Sequence, residues 1–116
     1  MSSNPNAFLP LKPSVFHILL SLVDSDRHGY GIMQEVKSTT NGRVKLGPGT
    51  LYGAIKRLLA DGLIIESDQR PDSELDDERR RYYKITELGR KVITLEAMRL
   101  ADLVDMAQVK QLLHQV

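Results

Sequence analysis

The 116-residue chain has no cysteine and no tryptophan, and aromatic residues make up only 5% of it. Without cysteine there can be no disulfide and no thiolate metal centre, and the composition suits a reducing compartment. No apolar run approaches the roughly 20 residues that a spanning helix needs. The opening Met-Ser-Ser-Asn-Pro-Asn has no basic stretch followed by an apolar one, so no signal peptide is expected. These absences predict a cytoplasmic protein whose core is built from Leu, Ile, Val and Met.

A strong net charge is also missing, at +1. Charge balance therefore does not by itself announce a nucleic-acid binder. No catalytic constellation is visible. His17, His28 and His114 lie far apart, and His17 sits in an apolar stretch. Asp102 and Asp105 stand three apart with His114 further on, but no cysteine or histidine pair completes a metal-ligand set. The expectation is a protein that is not an enzyme and that holds no metal and no cofactor.

What is present is an ordinary globular balance, 41% hydrophobic and 27% charged, in a length that suits one domain. Asn and Pro make residues 1–12 read as a flexible arm, though Phe8, Leu9 and Leu11 can pack on something. Pro13 suits the first turn of a helix that is apolar on most sides through Phe16, Ile18, Leu19 and Leu22. Asp24 to His28 breaks it. Ile32, Met33 and Val36 then mark a second helix, which ends in the polar run Ser38 to Gly42. Alternation over Arg43-Val44-Lys45-Leu46 predicts a very short strand. A third helix starts at Gly47-Pro48-Gly49-Thr50, buries Leu51, Ile55, Leu58 and Leu59, and ends at a Gly62 cap. Residues 63–66 and 80–85 read as the strands of a hairpin around an acidic loop containing Pro71. Thr86 opens a last helix with no later proline and no glycine beyond Gly89, about 30 residues and roughly 40 Å long. Three helices, a hairpin and a long helix make a mainly α winged helix-turn-helix, with residues 13–86 as its domain and 87–116 as a dimerisation helix.

The helix from Pro48 carries unusual residues on its outward side. At about 100° per residue, Gly49 and Gly53 lie opposite the apolar stripe, with Tyr52 and Lys56 on one edge and Thr50 and Arg57 on the other. An exposed helical glycine costs roughly 1 kcal/mol relative to alanine. Close approach to a duplex is a reason to accept that cost, with Thr50 and the first-turn N–H groups on phosphate. Packing glycines and a merely solvated basic face are the competing explanation. The hairpin is divided in charge. Glu66, Asp68, Asp72, Glu74, Asp76, Asp77 and Glu78 precede the basic run Arg79-Arg80-Arg81 and Lys84. Arg79 and Arg80 can contact a phosphate backbone or pair with those acids. Alternation places Arg80, Tyr82 and Lys84 on one face and Arg81, Tyr83 and Ile85 on the other, with Tyr83 inward.

Three segments together resemble the PadR family of transcriptional regulators: Leu46-Gly47-Pro48-Gly49-Thr50-Leu51-Tyr52-Gly53-Ala54-Ile55-Lys56-Arg57-Leu58 with Asp61-Gly62-Leu63-Ile64, Arg79 to Arg90, and His28-Gly29-Tyr30-Gly31-Ile32. The resemblance covers about residues 13–92 in order and spacing. It implies a dimeric winged-helix repressor that leaves a palindromic operator on a small-molecule or stress signal. It also implies DNA contacts at Tyr30, Thr50, Tyr52, Lys56, Arg57 and the basic residues of the hairpin. The short C-terminal part is similar to the family's compact branch.

Leu95, Met98, Leu103, Met106, Leu112 and Leu113 repeat at helical spacing along the last helix, and neighbours widen the stripe beyond what one domain can cover. A second copy is the simplest cover, with Phe8, Leu9, Leu11 and Phe16 joining it. The family implies an effector site at that interface, near Phe8, Phe16, Met98 and Met106. The last helix has no aromatic residue, which argues against a flat ligand stacked there. The acidic hairpin keeps a protein-binding winged helix as the alternative function.

Overall fold

The computed structural model describes residues 4–68 and 81–113. A short 3-10 turn at Pro5–Phe8 leads into α1 (Pro13–Ser21), β1 (Arg27–His28), α2 (Gly29–Thr39), α3 (Pro48–Ala60), β2 (Ile64–Ser67), β3 (Tyr82–Ile85) and α4 (Glu87–Val109). The strands form one antiparallel sheet in the order β1-β3-β2. Ile64 lies opposite Ile85, and His28 opposite Tyr82.

Local chemistry sets these boundaries. Proline occupies the first turn of α1 and of α3, where a missing N–H costs nothing. His28 caps α2 by accepting the Gly31 N–H on Nδ1 at 3.0 Å. Thr86 caps α4 by accepting the Gly89 N–H on Oγ1 at 3.0 Å, and its hydroxyl donates to the Gly62 carbonyl at 2.7 Å. α3 ends in a Schellman motif. Gly62 takes φ +76°, and the Leu63 N–H reaches back to the Leu58 carbonyl at 3.0 Å.

The core lies where the three helices of the domain, the sheet and the start of α4 meet. Ile18, Leu19, Leu22, Ile32, Leu51, Leu58, Leu63, Ile64 and Val92 are wholly buried in it. α4 approaches β2 closely at Gly89, where a Cβ would overlap the Leu63 carbonyl oxygen.

Four expectations are corrected. Residues 43–46 form no strand. The Val44 N–H is taken by Thr40 Oγ1 at 3.1 Å and Leu46 is buried in the core, so the segment is held by helix-end bonds. The third strand is instead Arg27–His28, within the stretch read as a break. The Arg27 guanidinium secures it by donating to the Ser21 carbonyl at 2.7 Å. Tyr82 does not point to solvent. β1 covers that side of β3, and His28 packs edge-on against Tyr82 at 5.1 Å, so Tyr82 and Tyr83 are both buried. The last helix stops at Val109 rather than Val116. Gln111 takes φ +62°, and the Leu112 N–H bonds the Ala107 carbonyl at 3.0 Å, a second Schellman ending.

The flexible arm expected at residues 1–12 is also revised for its described part. Phe8, Leu9 and Leu11 pack on the core cluster, and the Leu11 N–H donates to Glu96 Oε2 at 2.8 Å. Glu96 is buried on α4 and also accepts from Arg99, Nε to Oε1 at 2.5 Å and Nη2 to Oε2 at 3.0 Å. The Arg99 guanidinium holds the Glu96 carboxyl below the usual carboxylate range; burial opposes the shift and the Leu11 N–H assists it. A buried carboxylate therefore anchors the N-terminal segment.

Candidate nucleic-acid interface

α3 lies with Leu51, Ile55 and Leu58 in the core and its other side open. Pro48, Gly49, Thr50, Tyr52, Gly53, Lys56 and Arg57 are all exposed. A Cβ built on Gly49 or Gly53 meets no heavy atom within 4 Å. Nothing in the described chain therefore requires glycine at either position, and the packing explanation for them fails. The result is a helix surface flat to the backbone along its centre, edged by a hydroxyl, a phenol and two cations. The first-turn N–H groups have no side-chain cap.

Tyr52 is half-exposed and anchored. Its phenol lies over Gly29 at the start of α2, where a Cβ would collide with the ring. From the sequence, Gly29 stands out only within the segment His28 to Ile32, with no contact assigned to it; its place beside Tyr30 at a helix start is the signal. Tyr30 is exposed and stacks on His28 with ring centroids 6.5 Å apart. Tyr30 and Tyr52 thus stand at the N-terminal end of α2 and on the flank of α3. Burial pushes the Tyr83 phenol above its ordinary range, helped by the nearby Glu66 and Tyr52, so Tyr83 stays neutral beneath this surface.

The cations of α3 are available. Arg57 reaches Asp61 only at 3.8 Å with its side chain largely in solvent, a pairing worth little. Lys56 makes no ion pair among the described residues. On the hairpin, Lys84 is exposed on β3, whereas Arg81 is tied to Glu66 at 2.8 Å across the strands. Arg79 and Arg80 lie outside the described residues.

The residues assigned to an intersubunit surface divide into two groups. Phe8, Leu9, Leu11 and Phe16 are partly buried against the chain's own core, and Leu95 is intermediate. Met98, Leu103, Met106, Leu112 and Leu113 are exposed. No residue from 97 to 113 is buried, so α4 leaves the domain after Glu96. Among the described residues no group of three His, Asp or Glu could hold a metal, and no helix is long and apolar enough to cross a membrane.

A three-helix domain with a small antiparallel sheet and an open third helix defines a winged helix-turn-helix protein. The model of the transcriptional regulator PadR-like family matches residues 18–95, and the chain belongs to that family. The family is one of transcriptional regulators, not of enzymes. The chain is 37% identical over 87 residues to the transcriptional regulator Rv3488 of Mycobacterium tuberculosis, covering 75% of each chain. The structure of a transcriptional regulator from Clostridium thermocellum superposes with TM-score 0.66 at 28% identity, covering 84% of this chain and 87% of that one. The Bacillus subtilis PadR in complex with operator DNA shares the fold, with TM-score 0.59 at 18% identity over 72% of this chain and 46% of that one.

Proposed function

We propose that this chain is a dimeric, sequence-specific DNA-binding regulator that represses transcription and leaves its operator on a small-molecule or stress signal. The observation that carries the DNA reading is the glycine face of α3. Gly49 and Gly53 have open space before them, so a large surface can approach the helix backbone there. Double-stranded DNA fits that face because Thr50, Tyr52, Lys56 and Arg57 surround it. Thr50 and the first-turn N–H groups hold phosphate, Tyr52 and Lys56 reach base edges or sugar, and Arg57 takes a neighbouring phosphate or a guanine. Tyr30 and Lys84 contact the flanking backbone. That a B. subtilis protein of the same fold was solved on operator DNA is in keeping with this reading.

The exposed side of α4 supports dimerisation. Met98, Leu103, Val104, Met106 and Val109 are between 46% and 80% exposed, a surface that a monomer rarely leaves in water. A two-fold pair built on α4 places two α3 helices about one DNA turn apart, which requires a palindromic operator. An effector site belongs at that shared surface, where its occupancy alters the spacing of the reading helices.

The test is a mobility shift on the DNA upstream of the protein's own coding sequence. Specific binding should weaken steeply with salt. Lys56→Ala with Arg57→Ala should abolish the specific shift while circular dichroism reports an intact fold. Retained affinity in the double variant would overturn the assignment of the contacts to α3, and a wild-type chain that gives no specific shift would favour a protein-binding winged helix.

A further inference from the structure

The stretch from Lys37 to Arg57 contains Lys37, Arg43, Lys45, Lys56 and Arg57 and not one acid. The interface described above uses only the last two. Lys37, Arg43 and Lys45 are exposed, and no ion pair between described residues involves them. The one acid of α2, Glu35, stands roughly 160° around the helix from Lys37 and is engaged by Arg27 at 3.6 Å.

Lys37 and Lys45 border an open trough of about 760 Å³ along the outer side of α2 and the turn that follows it. Its edges carry Tyr30, Gln34, Lys37, Asn41 and Lys45, over a floor that includes Met33 and Leu46. Tyr30, Gln34 and Lys37 recur at helical spacing, so they share one side of α2, and Asn41 follows in the turn beyond it. The turn is fixed rather than slack. Asn41 and Gly42 take φ +53° and +78°, and the Gly42 N–H bonds the Lys37 carbonyl at 2.8 Å. Thr40 Oγ1 donates to the Val36 carbonyl at 2.7 Å and accepts the Val44 N–H. Lys45 therefore stands just ahead of the first turn of α3.

We propose that this trough seats the sugar-phosphate backbone of the duplex flanking the groove that α3 enters. Lys37 and Lys45 neutralise phosphates there, and Gln34 and Asn41 donate hydrogen bonds to phosphate oxygens. The proposal rests on the reading of α3 as the DNA-binding helix. The occupant is a polyanion strand because the rim is cationic and acid-free. The trough is too open to enclose a small ligand, and it runs from Tyr30 to Lys45 and Leu46, just ahead of α3. Contacts of this kind set register and affinity but carry no base information.

The test uses the full chain with Lys37→Gln and Lys45→Gln. Two duplexes serve as probes: one enriched by the wild-type protein from a random pool, and one from the unenriched pool. The slope of log affinity against log salt should flatten by about 0.9 for each phosphate no longer neutralised, about 1.8 per protomer. Both duplexes should weaken by the same factor, leaving their affinity ratio unchanged. The charge-conserving pair Lys37→Arg with Lys45→Arg should keep the wild-type slope. An unchanged slope in the glutamine variant overturns the proposal, as does selective weakening on the enriched duplex. A flattened slope in the arginine variant also overturns it. Each of these outcomes leaves wild-type binding intact, so the α3 reading survives them. A wild-type protein that binds neither duplex refutes both.

Discussion

Gly53→Ala should move stability and DNA affinity in opposite directions. Gly53 lies inside α3, and a Cβ there meets no heavy atom within 4 Å. The substitution therefore removes the backbone-entropy cost of glycine without a clash, a gain of up to about 1 kcal/mol. For a domain of this size that raises Tm by about 3–6 °C. At the DNA the same methyl stands on the face held flat for contact. Overpacking of a tight contact typically costs about 1–3 kcal/mol, which corresponds to a loss of roughly 5- to 150-fold in affinity. Thermal melting by circular dichroism and anisotropy titration of a labelled operator duplex read the two effects separately. Two sibling substitutions calibrate the series. Gly89→Ala drives a methyl into the Leu63 carbonyl and should lower Tm and DNA binding together. Gly29→Ala displaces the Tyr52 ring and should cost less stability, since a side chain yields more readily than backbone. If Gly53→Ala melts higher and binds DNA as well as the parent, and Gly53→Leu also binds unchanged, the glycine face does not meet the duplex.

Glu96→Leu leaves the Leu11 N–H and the Arg99 guanidinium without their acceptor and should destabilise the fold by about 2–3 kcal/mol in urea melts. The Glu96 pKa is depressed in the folded state, so its stabilising contribution is present above the ordinary glutamate range near about 4.3 and is lost as pH falls through the lower folded-state value. Glu96→Gln should flatten that acid limb in a pH series of melts; an unchanged limb refutes the anchor. Met98→Glu with Leu103→Glu places charge on the exposed apolar side of α4 and should yield a monomer by light scattering that no longer shifts operator DNA. A dimer that persists would move the interface elsewhere.

The parts of the fold legible in the sequence were those with local signals. Proline at the first helical position, Gly62 after α3 and Thr86 before α4 fix their boundaries by chemistry that acts within a few residues. The outward face of α3 was legible because helical spacing alone opposes Gly49 and Gly53 to Leu51, Ile55 and Leu58. What stayed hidden depends on distant partners. Arg27–His28 becomes a strand only because β3 passes beside it, and Tyr82 is buried on the other face from Tyr83 because that strand brings His28 against it. Residues 43–46 alternate like a strand, yet their bonds run to the end of α2. The end of α4 was missed because Gln111 is not a residue type that announces a left-handed cap. Glu96 gave no sign of burial, because its acceptors are filled in part from Leu11, 85 positions away.

That long-range contact also bears on how the two halves of the molecule could act together. Glu96 is the last buried residue of α4, and beyond it the helix has no cover within the described chain. The carboxylate thus sits at the point where α4 leaves the domain, and it ties the helix there to the segment leading into α1. α1 in turn packs on α3. If two copies meet through the projecting part of α4, the separation of their reading helices is set by the angle at which α4 departs, and the Glu96 contacts fix that angle. A ligand or substitution that loosens the N-terminal segment would then reach DNA affinity without touching α3, because it would release the helix that spaces the two copies. The open glycine face determines what a single copy can approach. In the proposed dimer, the anchored exit of α4 would determine whether two copies approach it in register.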